Sequence, residues 1–499
     1  MDLRTPKGTT DYPPKHALLY EDIINKTISV FKTYGALPID TPIFELKEIL
    51  LNKYGEDTKL IYDLKGEECA LRYDLTVPFS RFMAMNKLKK IKRYQIGKVF
   101  RRDQPSIVKG RLREFIQADL DIAGDGLPMV VDSEILSCAN TLLEMYGIGP
   151  FEINISDRRI LISILKMAQV EEKDIGTISS TIDKVEKLSK EELDKEFELK
   201  GLSKGQIEII HKYISQKGDK EVKGVDTKDI GNKVRDMGLN KGTLKEPLRD
   251  KDKDSLSNPQ DTTHDPQDTT HDLNNDTPIN TNDPTPLCSL DPNISILNFL
   301  KNDPIYLLPE CKEAISNLES LLRYADIYGF RKNLKINLSL ARGLDYYTGL
   351  IIEASYKNSQ VGSVLGGGRY DNLISGFQKG NKIPCAGFSI GISRIFSLLI
   401  PSFSKESEIQ VFVSSSGGLF LEERMKILKK LRSHKIKSET FYTKRYNLNE
   451  HKENCIKKGI KYLIVVGQGE IEKGTVVIME LGKGEKMEVD FDEMNKYIN

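Results

Sequence analysis

Between Glu114 and Ala123 the chain reads EFIQADLDIA, in which every second residue from Ile116 onward (Ile116, Ala118, Leu120, Ile122) is apolar. Successive side chains of an extended chain point to opposite faces, so this alternation specifies a strand with one apolar face. The other face then carries Phe115, Gln117, Asp119 and Asp121. A glutamine and acids facing one way on such a strand need partners or line a cleft. Residues 91 to 123 read as two strands around a polar loop: IKRYQIGKVFRR, then DQPSIVKGRL, then REFIQADLDIA.

A chain of 499 residues exceeds one ordinary core, and roughly 150 residues per domain predicts about three. Hydrophobic residues at 39% and charged residues at 29% exclude a wholly disordered chain and a membrane protein. No apolar run is long enough to span a bilayer. The N-terminus, MDLRTPKGTTDYPP, has neither a signal-peptide core nor transit-peptide character, so a cytoplasmic location is expected. Six cysteines without a CxxC pair suggest neither a disulfide framework nor a zinc cluster. Net charge is only +1, yet Lys87 to Arg113 holds eleven Lys or Arg against one acid, and Arg424 to Lys461 thirteen against three. Two such regions suit a polyanion or a phosphate-bearing ligand, although a basic stretch alone is more often a solvated face.

Tyr20, Ile24, Ile28 and Phe31 recur at helical spacing until Gly35 stops the pattern. In the following LPIDTPIFEL, Pro42 argues for an edge strand or an interface. From Asp157 to about Lys245 the sequence is helical and highly charged, an inserted module. Between Leu256 and Leu287 large apolar residues are nearly absent and PQDTTHD occurs twice, so disorder is expected over about 250–293. His264 and His271 there belong to the repeat rather than to a metal site. Strand patterns LKINLSLA and YYTGLIIEASY flank a turn, RGLD, and GSVLGGGRYD precedes CAGFSIGISRIFSLLI. After Pro401, IQVFV, a helix with Leu421, Met425, Leu428 and Leu431, KYLIVVG and TVVIMEL read as a small α/β domain.

The GxxxxGK[ST] phosphate loop is absent, as is a GxGxxG between strand and helix. Arginines on rigid strands offer another way to fork onto phosphate oxygens, and Arg101 and Arg342 both sit where a predicted strand ends. GGGR at Gly366 to Arg369 suits either a loop or a side-chain-free floor on which a flat ligand lies.

Together these segments resemble the class II aminoacyl-tRNA synthetases, and within them the histidine–tRNA ligase family of eukaryotic and archaeal type. The helix ending at Gly35 with TPIFE is similar to motif 1, a dimer interface; FRRDQPSIVKGRLREFIQADLDIAG resembles motif 2 and GFSIGISRIF motif 3. LRYDLTVPFSR resembles the substrate loop, and ARGLDYYTG the signature of the histidine enzyme. The resemblance implies that Asp74, Thr76 and Gln117 surround the histidine α-amino group and that Asp121 and Tyr347, beside Tyr346, meet the imidazole. It further implies Arg101 and Arg342 on the α-phosphate, Asp103 on the nucleotide, and Phe115 and Arg394 around the adenine. Ser393 stands where motif 3 usually has glutamate, which removes the carboxylate a magnesium would use there; no protein metal ligand is assigned. Asp103 likewise replaces a common glutamate, so its contact with the nucleotide is expected to be shorter or indirect.

The expected fold is α+β. An antiparallel-sheet catalytic domain (1–157 and 306–402) is interrupted by a helical insertion (158–305) and followed by an α/β anticodon-binding domain (408–499). The expected partners are L-histidine, ATP with Mg2+, the tRNA for histidine and a second copy of the chain. Non-catalytic relatives of such folds would be expected to lose the phosphate arginines or the tRNA-reading domain, and Arg101, Arg342 and the C-terminal region are all present.

Overall fold

The computed structural model describes residues 3–51, 53–216, 291–343, 346–377, 382–404, 407–444 and 447–498. The segment expected to be disordered, with His264, His271 and Cys288, lies outside the described residues up to 290. The last few of its residues open a helix, Pro292–Lys301, capped by the Asp291 carboxylate accepting from Asn293 N–H. The expected insertion helix beyond 216 also lies outside them.

The chain forms two compact units, Met1–Arg158 with Ser320–Leu334 and Leu340–Asn499, and Arg159–Glu319 with Lys335–Ser339. In the first, strands Leu37–Pro38, Ile91–Phe100, Glu114–Ala123, Cys385–Gly391, Ser363–Arg369, Leu350–Tyr356 and Phe151–Asp157 lie side by side in that order. The first pair is parallel and the others antiparallel. An α+β fold follows, as expected from the resemblance, and the alternation around Gln117 marks one of its strands, Glu114–Ala123. The LPIDTPIFEL run divides at Pro42 into two short strands, Leu37–Pro38 at the sheet edge and Phe44–Leu46 paired with Cys69–Leu71, because proline supplies no ladder donor.

The apolar face of the Glu114–Ala123 strand is closed by the N-terminal helix, Pro14–Thr33. Tyr94, Leu120 and Phe388 form one row across three strands, and Phe31 packs on it, its ring centre 5.6 Å from that of Tyr94 and 6.1 Å from that of Phe388. The buried stripe of this helix is Tyr20, Ile23, Thr27, Val30 and Phe31, whereas Ile24 and Ile28 are half-buried. The stripe deviates from the apolar count because Thr27 satisfies its hydroxyl locally, donating to the Ile23 carbonyl and meeting the Tyr146 hydroxyl at 2.7 Å. Gly35, at φ 72°, ends the helix in the left-handed region.

The expected LKINLSLA strand is only Leu334–Ile336. The Asn337 side chain accepts from the Ser339 amide and hydroxyl, an Asx turn that stops the extension. In the second unit, Lys190–Leu199 and Lys204–Ile214 each begin with a capping box, at Ser189/Glu192 and Ser203/Gln206, and bury Leu193, Phe197, Ile207 and Ile210.

Residues beyond Val411 build a separate five-stranded sheet in the order Ser438–Thr440, Val411–Ser415, Tyr462–Val466, Thr475–Glu480, Glu485–Asp490. Its first three strands are parallel, with Leu421–Ser433 and Leu448–Lys457 as crossover helices. Leu421 and Met425 are exposed, contrary to the apolar pattern; Arg424 is buried instead, bonded to Thr440 Oγ1 and the Leu419 and Phe441 carbonyls. Held by these three hydrogen bonds, a guanidinium replaces a leucine on that face.

Phe31→Ala is expected to destabilise the chain by about 3–5 kcal/mol, because the cavity opens under three strands at once. Denaturant unfolding checks it, and Ile24→Ala should cost far less.

Candidate active site

The polar face of the same strand is buried, not solvated: Asp119 and Asp121 are 1% and 2% exposed. Strand register explains what surrounds them. Gln117 lies between Gly97 and Gly391, Asp119 between Gln95 and Ser389, and Asp121 between Arg93 and Gly387. Arg93 Nη2 is 2.7 Å from Asp121 Oδ2 and 3.9 Å from Asp119 Oδ2. Tyr370 donates its hydroxyl to Asp121 Oδ1. Gln117 Nε2 donates to Ser389 Oγ at 2.7 Å, leaving Gln117 Oε1 buried without a partner.

Asp74 stands before the Thr76–Met85 helix and accepts from the Thr76 and Val77 amides at 3.1 and 3.0 Å, and from the Tyr54 hydroxyl at 2.9 Å. Thr76 Oγ1 is 3.5 Å from Asp119 Oδ2. Burial pushes the Asp119 carboxyl up to about 7, with Arg93 opposing the rise and Asp121 adding to it. Burial likewise holds Asp74 and Asp121 above the usual carboxylate range. A buried acid cluster of this kind favours a ligand that brings positive charge or several donors.

Close packing of glycines shapes the floor. A Cβ on Gly387 would fall 2.0 Å from Asp121 Oδ1, and one on Gly368 2.9 Å from the Tyr347 ring. A Cβ on Gly367 would meet the Gly387 carbonyl at 2.4 Å, so this glycine serves strand packing. Of Gly366, Gly367 and Gly368 only Gly366 has room for a Cβ, which would meet Arg342 Nη1 at 3.9 Å and the Ile352 carbonyl at 4.0 Å.

All eleven predicted residues, Asp74, Thr76, Arg101, Asp103, Phe115, Gln117, Asp121, Arg342, Tyr346, Tyr347 and Arg394, line one cavity of about 440 Å³. Arg101, just beyond the Ile91–Phe100 strand, lies over the Tyr73 and Phe115 rings at 4.2 and 5.2 Å and donates to the Tyr73 carbonyl at 3.2 Å. Arg342 pairs with Glu353 and donates to Ser363 Oγ; Arg394 donates to the Ser363 carbonyl. Burial, with like charge from Arg111, Arg342 and Arg101, lowers the Arg394 guanidinium to about 10. The cavity therefore holds an acid cluster and an arginine cluster, the second suited to a polyanion. Tyr346 and Tyr347 pack with ring centres 4.4 Å apart and planes tilted by 51°. Asp103 accepts from its neighbour, Gln104 N–H, at the exposed rim.

Ser393 does not face this chemistry. Buried at the start of the Ile392–Leu399 helix, its Oγ accepts from Tyr20 Oη at 3.0 Å and from Ile116 N–H at 3.1 Å.

The family described as "Histidyl-tRNA synthetase" matches residues 8–231 and 287–395, and "Anticodon binding domain" matches 410–499. The chain belongs to the histidyl-tRNA synthetase family. A protein of Vairimorpha ceranae named "Probable histidine--tRNA ligase, cytoplasmic" is 46% identical over 506 residues, covering 100% of both chains. One of the same name from Encephalitozoon cuniculi is 44% identical over 99% of this chain and 98% of its own. A solved histidyl-tRNA synthetase from Nostoc shares the fold with TM-score 0.73, at 23% identity over 100% of this chain and 99% of that one.

Sequence reasoning about this family member missed Arg93, Tyr54, Tyr370, Ser389 and Glu353. Arg93 and Ser389 carried a usable signal, since each falls on the polar face of a strand next to Asp121 or Asp119. Tyr54, Tyr370 and Glu353 meet their partners across 20, 249 and 11 residues with no local pattern to announce them.

Gly387→Ala is expected to cost about 1–3 kcal/mol by overpacking, whereas Gly366→Ala should leave stability unchanged. Thermal unfolding of the two variants side by side distinguishes a crowded floor from an open one.

Proposed function

We propose that the chain ligates L-histidine to its tRNA with ATP, through a histidyl-adenylate, releasing pyrophosphate and then AMP. One observation carries this reading for the site: a single cavity joins a buried acid cluster to an arginine cluster. The first suits the donors of a histidine, the second a triphosphate.

In this reading Asp74, Thr76 and Gln117 receive the α-amino group. The unpartnered Gln117 Oε1 is an acceptor waiting for an ammonium hydrogen. Asp121 and Tyr347, with Tyr346 behind, meet the imidazole, whose two nitrogens ask for an acceptor and a hydroxyl. Arg101 and Arg342 hold the α-phosphate while the histidine carboxylate attacks its phosphorus, and Phe115 and Arg394 flank the adenine, with Asp103 at the rim. The 3′-terminal ribose hydroxyl of the tRNA then takes the histidyl group. Proton transfer by the protein is a minor part of such chemistry; positioning and charge stabilisation dominate.

ATP enters as its magnesium complex, the ion bridging the outer phosphates as part of the substrate. Ser393, occupied by Tyr20 and Ile116, does not fit a metal-ligand role, and Glu353 is engaged by Arg342. Residues 408–499 serve as the tRNA-reading domain and 158–305 as an insertion in the catalytic domain. The exposed apolar side chains of Leu37, Phe44 and Leu46 on short strands, and of Ile43 in the link between those strands, favour a homodimer formed through this surface. A cytoplasmic location agrees with the names of the microsporidian relatives.

Pyrophosphate exchange into ATP, measured with each of the twenty amino acids, tests the assignment. Strong exchange with histidine alone is expected; none with histidine, or strong exchange with another amino acid, overturns it. Arg342→Lys keeps the charge but loses the fork, so single-turnover adenylation should slow by roughly a hundredfold or more, on the scale of one lost oxyanion donor. Histidine affinity should change much less, and a normal rate in both Arg342→Lys and Arg342→Ala removes this arginine from the mechanism.

A further inference from the structure

Arg93 is the largest fully buried side chain among the described residues, at 0% exposure, and it does not itself line the cavity. Its position is fixed by three contacts. Nη2 donates to the Leu75 carbonyl at 3.1 Å, the guanidinium lies 4.4 Å over the Phe79 ring, and Nη2 reaches Asp121 Oδ2 at 2.7 Å. Nε and Nη1 have no hydrogen-bond partner, a costly condition for a buried cation. A hydrocarbon side chain would fill this place more cheaply, so the charge itself is what the position requires.

The groups facing Asp121 show why. Its own strand contributes Asp119, the neighbouring strand Arg93, and the Asp74 carboxylate stands before the Thr76–Met85 helix. Tyr370, Tyr347 and Cys385 complete the surroundings, and burial raises all three, so they stay neutral. One guanidinium thus faces three carboxylates. The guanidinium is 2.7 Å from Asp121 against 3.9 Å from Asp119, so the proton this crowded group takes up most readily goes to Asp119.

We infer that Arg93 is a positioning residue for histidine recognition: it keeps the Asp121 carboxylate ionised and in one orientation beside Gly387, so that the imidazole N–H meets an acceptor rather than a carboxylic acid. This rests on the proposed role of Asp121. Arg93 acts only through that carboxylate and contacts neither substrate nor nucleotide.

The test is histidine-dependent pyrophosphate exchange by the full chain between about pH 6.5 and 8.5, each variant expressed as a ratio to the unaltered chain. Arg93→Met should raise the KM for histidine about tenfold to a hundredfold near neutral pH, the scale of one hydrogen bond to a charged group. The KM for ATP should stay within about twofold, because the guanidinium is remote from the arginine cluster. The histidine defect should shrink as pH rises and Asp121 ionises again. Arg93→Lys should restore most of the affinity. The double variant Arg93→Met/Asp119→Asn, which removes the competing carboxylate along with the cation, should also recover most of it, and it carries the test if Arg93→Met alone does not fold. A defect that is flat with pH, a double variant no better than the single one, or an equal loss in both KM values and kcat overturns the inference. Asp121→Asn separates the two readings. A normal histidine KM there removes Asp121 from imidazole recognition, while a raised one beside pH-flat Arg93 variants removes only the role of Arg93.

Discussion

The pairing of the Glu114–Ala123 strand with Ile91–Phe100 on one side and Cys385–Gly391 on the other is what the rest of the structure depends on. A shift of one residue in either register would carry Asp119 and Asp121 to the face occupied by Phe31 and bring Leu120 into the cavity. The register is held from the apolar side by the row Tyr94, Leu120 and Phe388 under Phe31, so packing on one face determines the chemistry on the other. Glycine at 387 extends the same constraint, because any side chain there would displace the Asp121 carboxylate that the register puts beside it.

How much of this was legible in the sequence follows from the range of each interaction. The alternation from Ile116 to Ile122 announces a strand and its two faces because the period-two signal is local. The cavity residues Arg101, Gln117 and Asp121 were readable for the same reason, and Tyr347, Arg342 and Arg394 through the resemblance of short motifs. What misled the reading was polar residues that satisfy themselves. Thr27 occupies the buried stripe of the first helix by bonding back to Ile23, and Arg424 replaces an apolar residue of its helix by bonding three oxygens. Asn337 ended a strand that looked continuous. No hydropathy pattern distinguishes a satisfied polar group from an exposed one. Partners such as Tyr370 and Glu353 depend on chain crossings that only the assembled sheet creates.

The two arginines proposed to hold the α-phosphate differ in how they are preorganised. Arg101 leaves the end of a ten-residue strand and is held by the Tyr73 carbonyl and two aromatic faces. Arg342 lies on a turn, 42% exposed, and pairs with Glu353, a carboxylate on the neighbouring strand Leu350–Tyr356. For Arg101 the position is set before any ligand arrives. For Arg342 the Glu353 carboxylate fixes the guanidinium and offsets part of the repulsion among the four arginines.

That repulsion is itself part of the design of the cavity. Four guanidiniums with one adjacent carboxylate are less stable together than apart, and burial makes the conflict larger by removing water. A polyphosphate relieves it in proportion to the charge it places among them. On the proposed reading, negative charge concentrates on the non-bridging oxygens as the α-phosphorus accepts the carboxylate oxygen, and donors already fixed there would need no reorganisation to respond. The cost of holding like charges together is thus met by the sheet that positions them. On the proposed reading the arginine cluster is complementary to the charge of the transferring group more than to any single contact, and the acid cluster around Asp121 is the part of the cavity that would select the amino acid beside it.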